Sequence, residues 1–447
     1  MPLFLSLFFL SLTMQTKDLY SIFLKHPIID TDTRRITPGS IFFALKGENF
    51  NGNRFAAEAL EKGAAYVVVD EPVDTPPAKT ILRENTLLAL HQLAVEHRKH
   101  LHTKVIAITG TNGKTTTKEL LHAVLATKYN TISTKGNLNN HIGVPLTILS
   151  LLPSTQIAII EMGANHPGEI GGLCKIADPD YGIITNIGKA HLQGFRSLQG
   201  VIDTKKALLD HIIKKDNTIF FPLSDPHLNK LFGNSLNKIT WGNQTADLMA
   251  EIMEPTPYLN CTIFSNDPAK DKFPLAIHSK LFGEYNAQNI LAAVSVGLFF
   301  RIPAEDIKAA IEGYAPSNNR SQFVSTDRNK LIMDAYNANP VSMEQAITAF
   351  LALPQQNKVL ILGDMLELGD SSEEEHRHII ALIRKKTDIT TLCVGANFQH
   401  ICKENSISAF ADVQELSGYL AEHPINNSLI LLKGSRGIQL ESLVPRL

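Results

Sequence analysis

Residues 105–120 read VIAITGTNGKTTTKEL, an apolar run, a glycine-containing turn and a helix start in succession. Val105, Ile106, Ala107 and Ile108 form a short apolar, β-branched run that predicts a buried strand. It breaks at Gly110-Thr111-Asn112-Gly113, where glycine lets the backbone turn tightly and approach a ligand closely. Lys114-Thr115-Thr116-Thr117 then opens a helix. Backbone N–H groups and the positive end of a helix meet an anion at such a junction, the lysine reaches the β- and γ-phosphates, and a hydroxyl serves Mg²⁺. Gly110 to Thr116 are therefore the expected phosphate cradle. The usual spacing would also place a glycine at position 108, which is Ile108 here.

Composition sets the class. A length of 447 residues predicts about three domains. With 44% hydrophobic and 19% charged residues, the chain is an ordinary globular one able to bury real cores. The formal net charge of −2 gives no pointer to nucleic acid or an anionic surface. Cys174, Cys261, Cys393 and Cys402 are scattered without a CxxC pair, so buried free thiols in a cytoplasmic protein are expected. At the start, PLFLSLFFLSLTM is too short to span a membrane and no basic residue precedes it. The expectation is no stable membrane insertion, with translation beginning at Met14 and residues 1–13 not native.

Three segments follow from the pattern of elements. Residues 14–101 alternate strand-like pieces (Ile41 to Leu45, Ala65 to Val69) with a helix from Arg54 to Lys62 and another from Thr86 to His100. Residues 102–314 hold the cradle strand, further apolar strands at Ile157 to Gly163 and Tyr181 to Gly188, and a helix from Glu284 to Phe300. That alternation predicts a doubly wound, mostly parallel sheet. From Asn237 to Ser279, short alternating pieces predict antiparallel strands at an edge. Residues 315–447 repeat a Rossmann-like α/β pattern, with strands at Lys330 to Ala335, Lys358 to Gly363, Thr391 to Gly395 and Ser428 to Lys433. The fold class is α/β, in three domains.

Several strand ends carry polar groups, and ligands of open α/β sheets gather at such ends. Glu161 closes one strand, in EMGANHPGEI, where a carboxylate can bind Mg²⁺. His191 follows another, in NIGKAHLQGF. Lys205, in GVIDTKKALL, lies on the next helix; a lysine there is ordinarily a surface residue. In the last segment AYNANP (335–340), GDMLELG (363–369) and KGSRG (433–437) all follow strands. Polar strand ends in two α/β segments suggest a cleft between domains.

Taken together these motifs resemble the Mur ligase family, ATP-dependent enzymes that build the peptide of bacterial cell-wall precursors. The family's cradle, TGTNGKT, also lacks the first glycine, which accounts for Ile108. GNLNNHIGVPLTIL (136–149), EMGANHPGEI, AYNANPVSM, GDMLELG with His376, and KGSRG resemble the signatures of the branch that adds D-Ala-D-Ala. AYNANP discriminates most, because sister ligases carry a His-containing motif there.

The resemblance implies a small UDP-binding α/β domain, a central P-loop domain and a C-terminal ligase domain. It implies ATP with Mg²⁺, two ions expected, and a carbamylated lysine. Lys114, Glu161, His191 and Lys205 become the catalytic set, with Thr115, Glu161, His191 and the Lys205 carbamate on metal. Lys206 is a rival for the modified lysine, because Lys205-Lys206-Ala207 stands where Lys-Gly-Glu is usual. Asn286 and Asn289 match an adenine-contacting pair, and Arg320 and Asp334 reach the nucleotide. Thr31, Asp32, Thr33, Arg34, Lys46 and Gly47 match contacts to the UDP-sugar end; Asn53 stands where His is commoner. Asn137, Asn139, Asn140, Tyr336, Asn337 and Asn339 complete the substrate contacts. The implied partners are UDP-MurNAc-tripeptide and D-Ala-D-Ala, handled by a monomer in peptidoglycan precursor synthesis. Two alternatives stay open: another Mur-type or folylpolyglutamate-type ligase, and a regulatory P-loop ATPase without ligase activity.

Overall fold

In a computed structural model of the chain, residues 14–188, 192–232, 237–253, 256–267, 273–384 and 389–447 are described. They divide into two compact units. One holds the chain up to Ala107 with Asn130–Ala164 and Gly168–Tyr181; the other holds Ile108–Tyr129, Asn165–Pro167 and Gly182–Leu447.

The first unit begins with β1 (Ile29–Asp30), β2 (Ile41–Phe43), a small hairpin of β3 (Lys46–Gly47) and β4 (Phe50–Asn51), then β5 (Tyr66–Val69) and β6 (Thr80–Leu82). Strands β1-β2-β5-β6 form a parallel sheet. Phe42, Ala44, Val67 and Val69 pack against Ala56 and Ala59 of a helix, which forms the core of this sheet. That helix, Ala56–Glu61, starts later than the sequence suggests because Gly52–Phe55 turns as a 3-10 segment first. The helix Thr86–Lys99 is N-capped by Asn85, whose side chain accepts from Leu88 N.

A nine-stranded sheet follows, made of β7 (Lys104–Thr109), β8 (Thr131–Ser133), β9 (Ile157–Glu161), β10 (Tyr181–Ile184), β11 (Ile219–Pro222), β12 (Lys238–Trp241), β13 (Leu248–Ile252), β14 (Asn260–Ser265) and β15 (Leu275–His278). Its order is β15-β14-β13-β12-β11-β10-β7-β9-β8. The antiparallel edge expected from residue 237 onward is only partly present. β12 runs parallel to β11, and β13 parallel to β12; the antiparallel part is confined to β13-β14-β15. The reason is local. β12 and β13 meet at a single bridge, Trp241 with Leu248, and the loop is fastened by Asp247, whose carboxylate accepts from Thr240 N and Thr240 Oγ1.

The last sheet contains β16 (Gln322–Ser325), β17 (Lys330–Asp334), β18 (Lys358–Gly363), β19 (Thr390–Val394), β20 (Ser408–Phe410) and β21 (Leu429–Lys433), in the order β16-β17-β21-β18-β19-β20. All its pairings are parallel except β16 with β17. Alternate residues feed two cores. Ile332, Leu360 and Leu362 pack with Phe350, Ile379 and Phe398 on one face; Leu331, Met333 and Ile361 pack with Leu416 and Leu420 on the other. Helices thus cover both faces, as buried parallel strands require. The four cysteines are free and buried. Among the described residues no helix is long and apolar enough to cross a membrane.

Candidate active site

β7 ends at Thr109, and the helix Lys114–Leu125 begins immediately after Gly113. The two glycines of the intervening turn are required. Gly110 has φ +152°, and a Cβ there would sit 1.8 Å from Thr185 Oγ1; Gly113 has φ +78°, and a Cβ would sit 2.4 Å from Asn289 Oδ1. Gly110→Ala is therefore expected to destabilise the fold by about 1–3 kcal/mol, the usual size of an overpacking defect. Denaturant unfolding reads this, and an unchanged midpoint would contradict the packing described.

The strand end of β10 holds the turn in shape. Thr111 N donates to Asn186 O at 3.1 Å, and Asn112 N donates to Asn186 Oδ1 at 2.9 Å. Asn112 O accepts from Thr185 Oγ1 at 2.6 Å and Asn186 Nδ2 at 3.1 Å. Thr185 and Asn186 escaped the sequence reading, although their position at a polar strand end in the same parallel sheet was the available signal. Lys114 Nζ folds back over the turn, donating to Gly110 O at 2.8 Å and Thr111 O at 3.1 Å. Thr115 and Thr116 are buried.

Asn286 and Asn289, expected at the adenine, are buried and already engaged. Asn286 Nδ2 donates to Phe282 O and Ser321 Oγ, Asn289 Nδ2 donates to Asn286 Oδ1, and Thr117 Oγ1 donates to Asn289 Oδ1. Tyr285 OH lies 3.2 Å from the same Ser321 Oγ.

Lys205 faces inward from the helix Leu198–Lys214, whose N-cap is Ser197. Its side chain lies on the buried stripe Val201, Thr204, Lys205, Leu208, Leu209, Ile212, so it is only 4% exposed. Burial holds its amine well below the usual lysine range, and the charge of Lys114 adds to that. Lys206 points off the stripe and pairs with Asp210 at 2.5 Å. Of the two rival lysines, then, Lys205 is the enclosed one, and the ordinary expectation of a surface lysine fails there. His191 lies outside the described residues.

In the last sheet, Asp334 at the end of β17 pairs with Lys433 at the end of β21 at 2.8 Å. Lys433 Nζ also donates to Asn337 O, and Asp334 Oδ1 accepts from Ser321 N. The Tyr336 ring carries the Arg320 guanidinium at 3.9 Å and that of Arg436 at 5.1 Å. Asn337 Oδ1 accepts from Ala338 N. Asn339 N-caps the helix Pro340–Ala352 and donates through Nδ2 to Asn112 Oδ1 at 2.7 Å. AYNANP thus meets the phosphate turn directly. His376 is buried, with Nε2 accepting from Met365 N and Nδ1 donating to Ser372 O, so it shapes the loop after β18 as a neutral ring.

In the first unit, Glu161 closes β9 with its carboxylate 2% exposed, accepting from Asn139 Nδ2 at 2.8 Å. Asn140 Oδ1 accepts from Ile142 N and Gly143 N at the start of the next helix, and Asn137 is exposed. Near β1 and β2, Asp32 and Arg34 form an exposed pair at 2.6 Å, and the Arg34 hydrogen bonds hold the Asp32 carboxyl down at about 2. Thr33 O accepts from Lys62 Nζ. Lys46 pairs with Asp70 at 2.9 Å and Glu71 at 2.7 Å. Asn53 is a buried strut, bonded to Asn51 and Asp70 rather than open to a ligand.

Among the described residues no three His, Cys, Asp or Glu side chains cluster as a metal cage. Mg²⁺ does not need one. It is held through one or two carboxylates, waters and substrate phosphates. A buried carboxylate fixed by an amide (Glu161), a hydroxyl at a helix start (Thr115) and an enclosed lysine able to become an anion (Lys205) are donors of that kind.

A lysine and a threonine opening a helix directly after a glycine turn put the chain among the P-loop nucleotide-binding α/β proteins. It belongs to the Mur ligase family. Residues 27–103 match the profile described as Mur ligase family, catalytic domain; 108–297 match the Mur ligase middle domain; and 319–436 match Mur ligase, glutamate ligase domain. The chain is 36% identical over 431 residues to the UDP-N-acetylmuramoyl-tripeptide–D-alanyl-D-alanine ligase of Bacillus subtilis (strain 168), covering 94% of this chain and 92% of that protein. Its fold is similar to MurF from Acinetobacter baumannii (TM-score 0.84, 32% identity, covering 93% and 92% of the two chains). It is also similar to MurF ligase from Thermotoga maritima in complex with ADP (TM-score 0.83, 25% identity, 95% and 97%).

Proposed function

We propose that this chain joins D-Ala-D-Ala to UDP-MurNAc-tripeptide with ATP as the phosphoryl donor, in peptidoglycan precursor synthesis. The observation that carries the reading is the direct contact of AYNANP with the phosphate turn through Asn339 and Asn112, in a chain aligned nearly end to end with ligases of that name. Residues 14–101 bind the UDP-sugar end through Thr31, Asp32, Thr33, Arg34, Lys46 and Gly47. Residues 102–314 bind ATP, and residues 315–447 close the acceptor side. The protein works in the cytoplasm as a monomer.

The tripeptide's terminal carboxylate attacks the γ-phosphorus of ATP, giving an acyl phosphate and ADP. The acceptor's neutral amine then attacks the acyl carbon, and the tetrahedral adduct collapses to the amide and phosphate. Such transfers depend on positioning and on cancelling charge at the transferring oxygens. Lys114 supplies one cation at the β- and γ-phosphates, and the backbone N–H groups of the turn supply dipoles. Mg²⁺, held by Thr115, Glu161, His191 and the Lys205 carbamate, supplies further charge cancellation when bound. A lysine carbamate forms when a neutral amine adds to CO₂ and releases a proton, and the enclosure of Lys205 favours the neutral amine. Asn139 fixes the Glu161 carboxylate, and Lys433 fixes Asp334 beside the nucleotide-facing loop.

ADP release is expected only when the UDP-linked tripeptide is present, and product formation only when D-Ala-D-Ala is the acceptor. A coupled assay with D-Ala-D-Ala, meso-diaminopimelate, L-Lys and glutamate in parallel tests this. Turnover independent of any acceptor would replace the reading with a regulatory ATPase, and preference for a single amino acid would replace it with a sister ligase.

A further inference from the structure

Asn339 is held in one orientation by its own helix. Its Oδ1 accepts from Ser342 N at 2.9 Å, while its backbone N–H donates to Ser342 Oγ at 3.1 Å, a reciprocal capping box. With Oδ1 committed to the cap, the amide cannot turn over without exposing a donor to a donor. Nδ2 is thereby left facing away from the helix, and its partner is Asn112 Oδ1 at 2.7 Å. The reverse approach, Asn112 Nδ2 to Asn339 Oδ1, is 3.5 Å and lies at the edge of bonding. The bond therefore has a direction, from the AYNANP segment to the phosphate turn.

Asn112 is equally constrained from the other side. Its backbone N–H and C=O are both taken by Asn186 and Thr185 at the end of β10, so its side chain is free only to reach outward. The next two residues, Gly113 and Lys114, begin the helix that receives the phosphates. A second polar route reaches the same turn: Ser321 to Asn286, Asn286 to Asn289, and Asn289 Oδ1 against Gly113 and Thr117. Two amide-based connections thus grip the turn from the last sheet's side, one on Asn112 and one beside Gly113.

We infer that the Asn339–Asn112 hydrogen bond is a latch that sets the register of the acceptor-side segment against the phosphate turn, with Asn339 acting as a positioning residue for the transfer. The inference rests on the ligase reading for its kinetic consequence only. An acyl carbon and an amine must meet at near-contact distance, and small misplacements are costly in rate. Asn339 achieves its effect through Asn112 and the turn, without needing to touch the reacting atoms.

The cap and the latch can be separated. Asn339→Ser keeps a preferred N-cap hydroxyl but is too short to reach Asn112. Asn112→Ala removes the acceptor without touching the helix. Asn339→Asp keeps the cap and lets Asn112 turn its amide to donate. In the full-length enzyme, Asn339→Ser and Asn112→Ala are each expected to lower kcat about tenfold, the size of one hydrogen bond. The double variant should fall no further than the worse single one, and Asn339→Asp should recover part of the loss. Losses that multiply in the double variant, or a kcat unchanged in Asn339→Ser, overturn the latch.

Amide hydrogen exchange of residues 335–342 with a non-hydrolysable ATP analogue bound reads the latch without any acceptor. Faster exchange there in Asn112→Ala is expected, because that variant leaves the cap intact; unchanged exchange overturns the inference. Failure of the ligase reading would show separately, as wild-type protein that releases no ADP in response to D-Ala-D-Ala.

Discussion

Replacing Lys114 with alanine is expected to lower kcat by about 10²–10³-fold, the usual cost of removing one preorganised donor from a developing negative charge. The fold should survive. Lys114 is the first residue of its helix, where alanine is well tolerated, and its ammonium donates to the carbonyls of Gly110 and Thr111 in the turn. Those carbonyls keep the ammonium over the turn, so little ordering remains to be done when phosphates arrive. Arginine is a poor substitute, because a planar fork does not replace a compact point charge on a short reach. Rapid-quench measurement of ADP formation, alongside a thermal melt, checks the prediction. Wild-type ADP formation in Lys114→Ala would remove the lysine from the phosphate site; a collapsed melt would assign it to the fold instead.

The phosphate turn was legible because its chemistry is local: an apolar strand, two glycines with positive φ and a helix start lie within about a dozen consecutive residues. Its supports were not legible in the same way. Thr185 and Asn186 come from a strand more than seventy residues away, and only the sheet order brings them to the turn. Direction within the sheet was equally hidden. Alternation predicts a strand but not its polarity, so β12 and β13 read as antiparallel until the Asp247–Thr240 bonds fixed the loop between them. β8, β16 and β20 were too short to leave a pattern.

Lys205 is the opposite case, a burial the sequence did carry. It stands four residues after Val201 and three before Leu208, on the helix's apolar stripe, and the habit of reading lysine as a surface residue hid it. The Asn286–Asn289 pair shows the limit of motif matching. The resemblance assigns both residues to adenine, while in the structure their amides are largely engaged with Phe282, Ser321, Thr117 and each other.

Lys205→Ala is expected to lose about 10²–10³-fold in kcat, comparable to losing a principal charge-stabilising group. Lys206→Ala, which removes only an exposed pair with Asp210, should stay within about twofold. The sign of the charge at position 205 decides the outcome. As an ammonium, Lys205 is disfavoured twice, first by burial and then by repulsion from Lys114. Addition of CO₂ to its neutral amine releases a proton and leaves an anion, so the same Lys114 charge that opposed the ammonium now favours the product. In the proposed function these surroundings favour a carbamate over the cation, and an enclosed anion is the kind of oxygen donor Mg²⁺ accepts. Alanine at 205 leaves a space of roughly a lysine's length, into which a short carboxylic acid can bring an equivalent carboxylate. Formate or acetate should restore part of the activity of Lys205→Ala and none of that lost in Lys114→Ala, where a cation is missing. Isotopically labelled CO₂ should give a carbamate carbon signal in wild-type protein and in Lys206→Ala, and no such signal in Lys205→Ala. Full activity in Lys205→Ala, or a carbamate signal that disappears only with Lys206, would overturn the assignment.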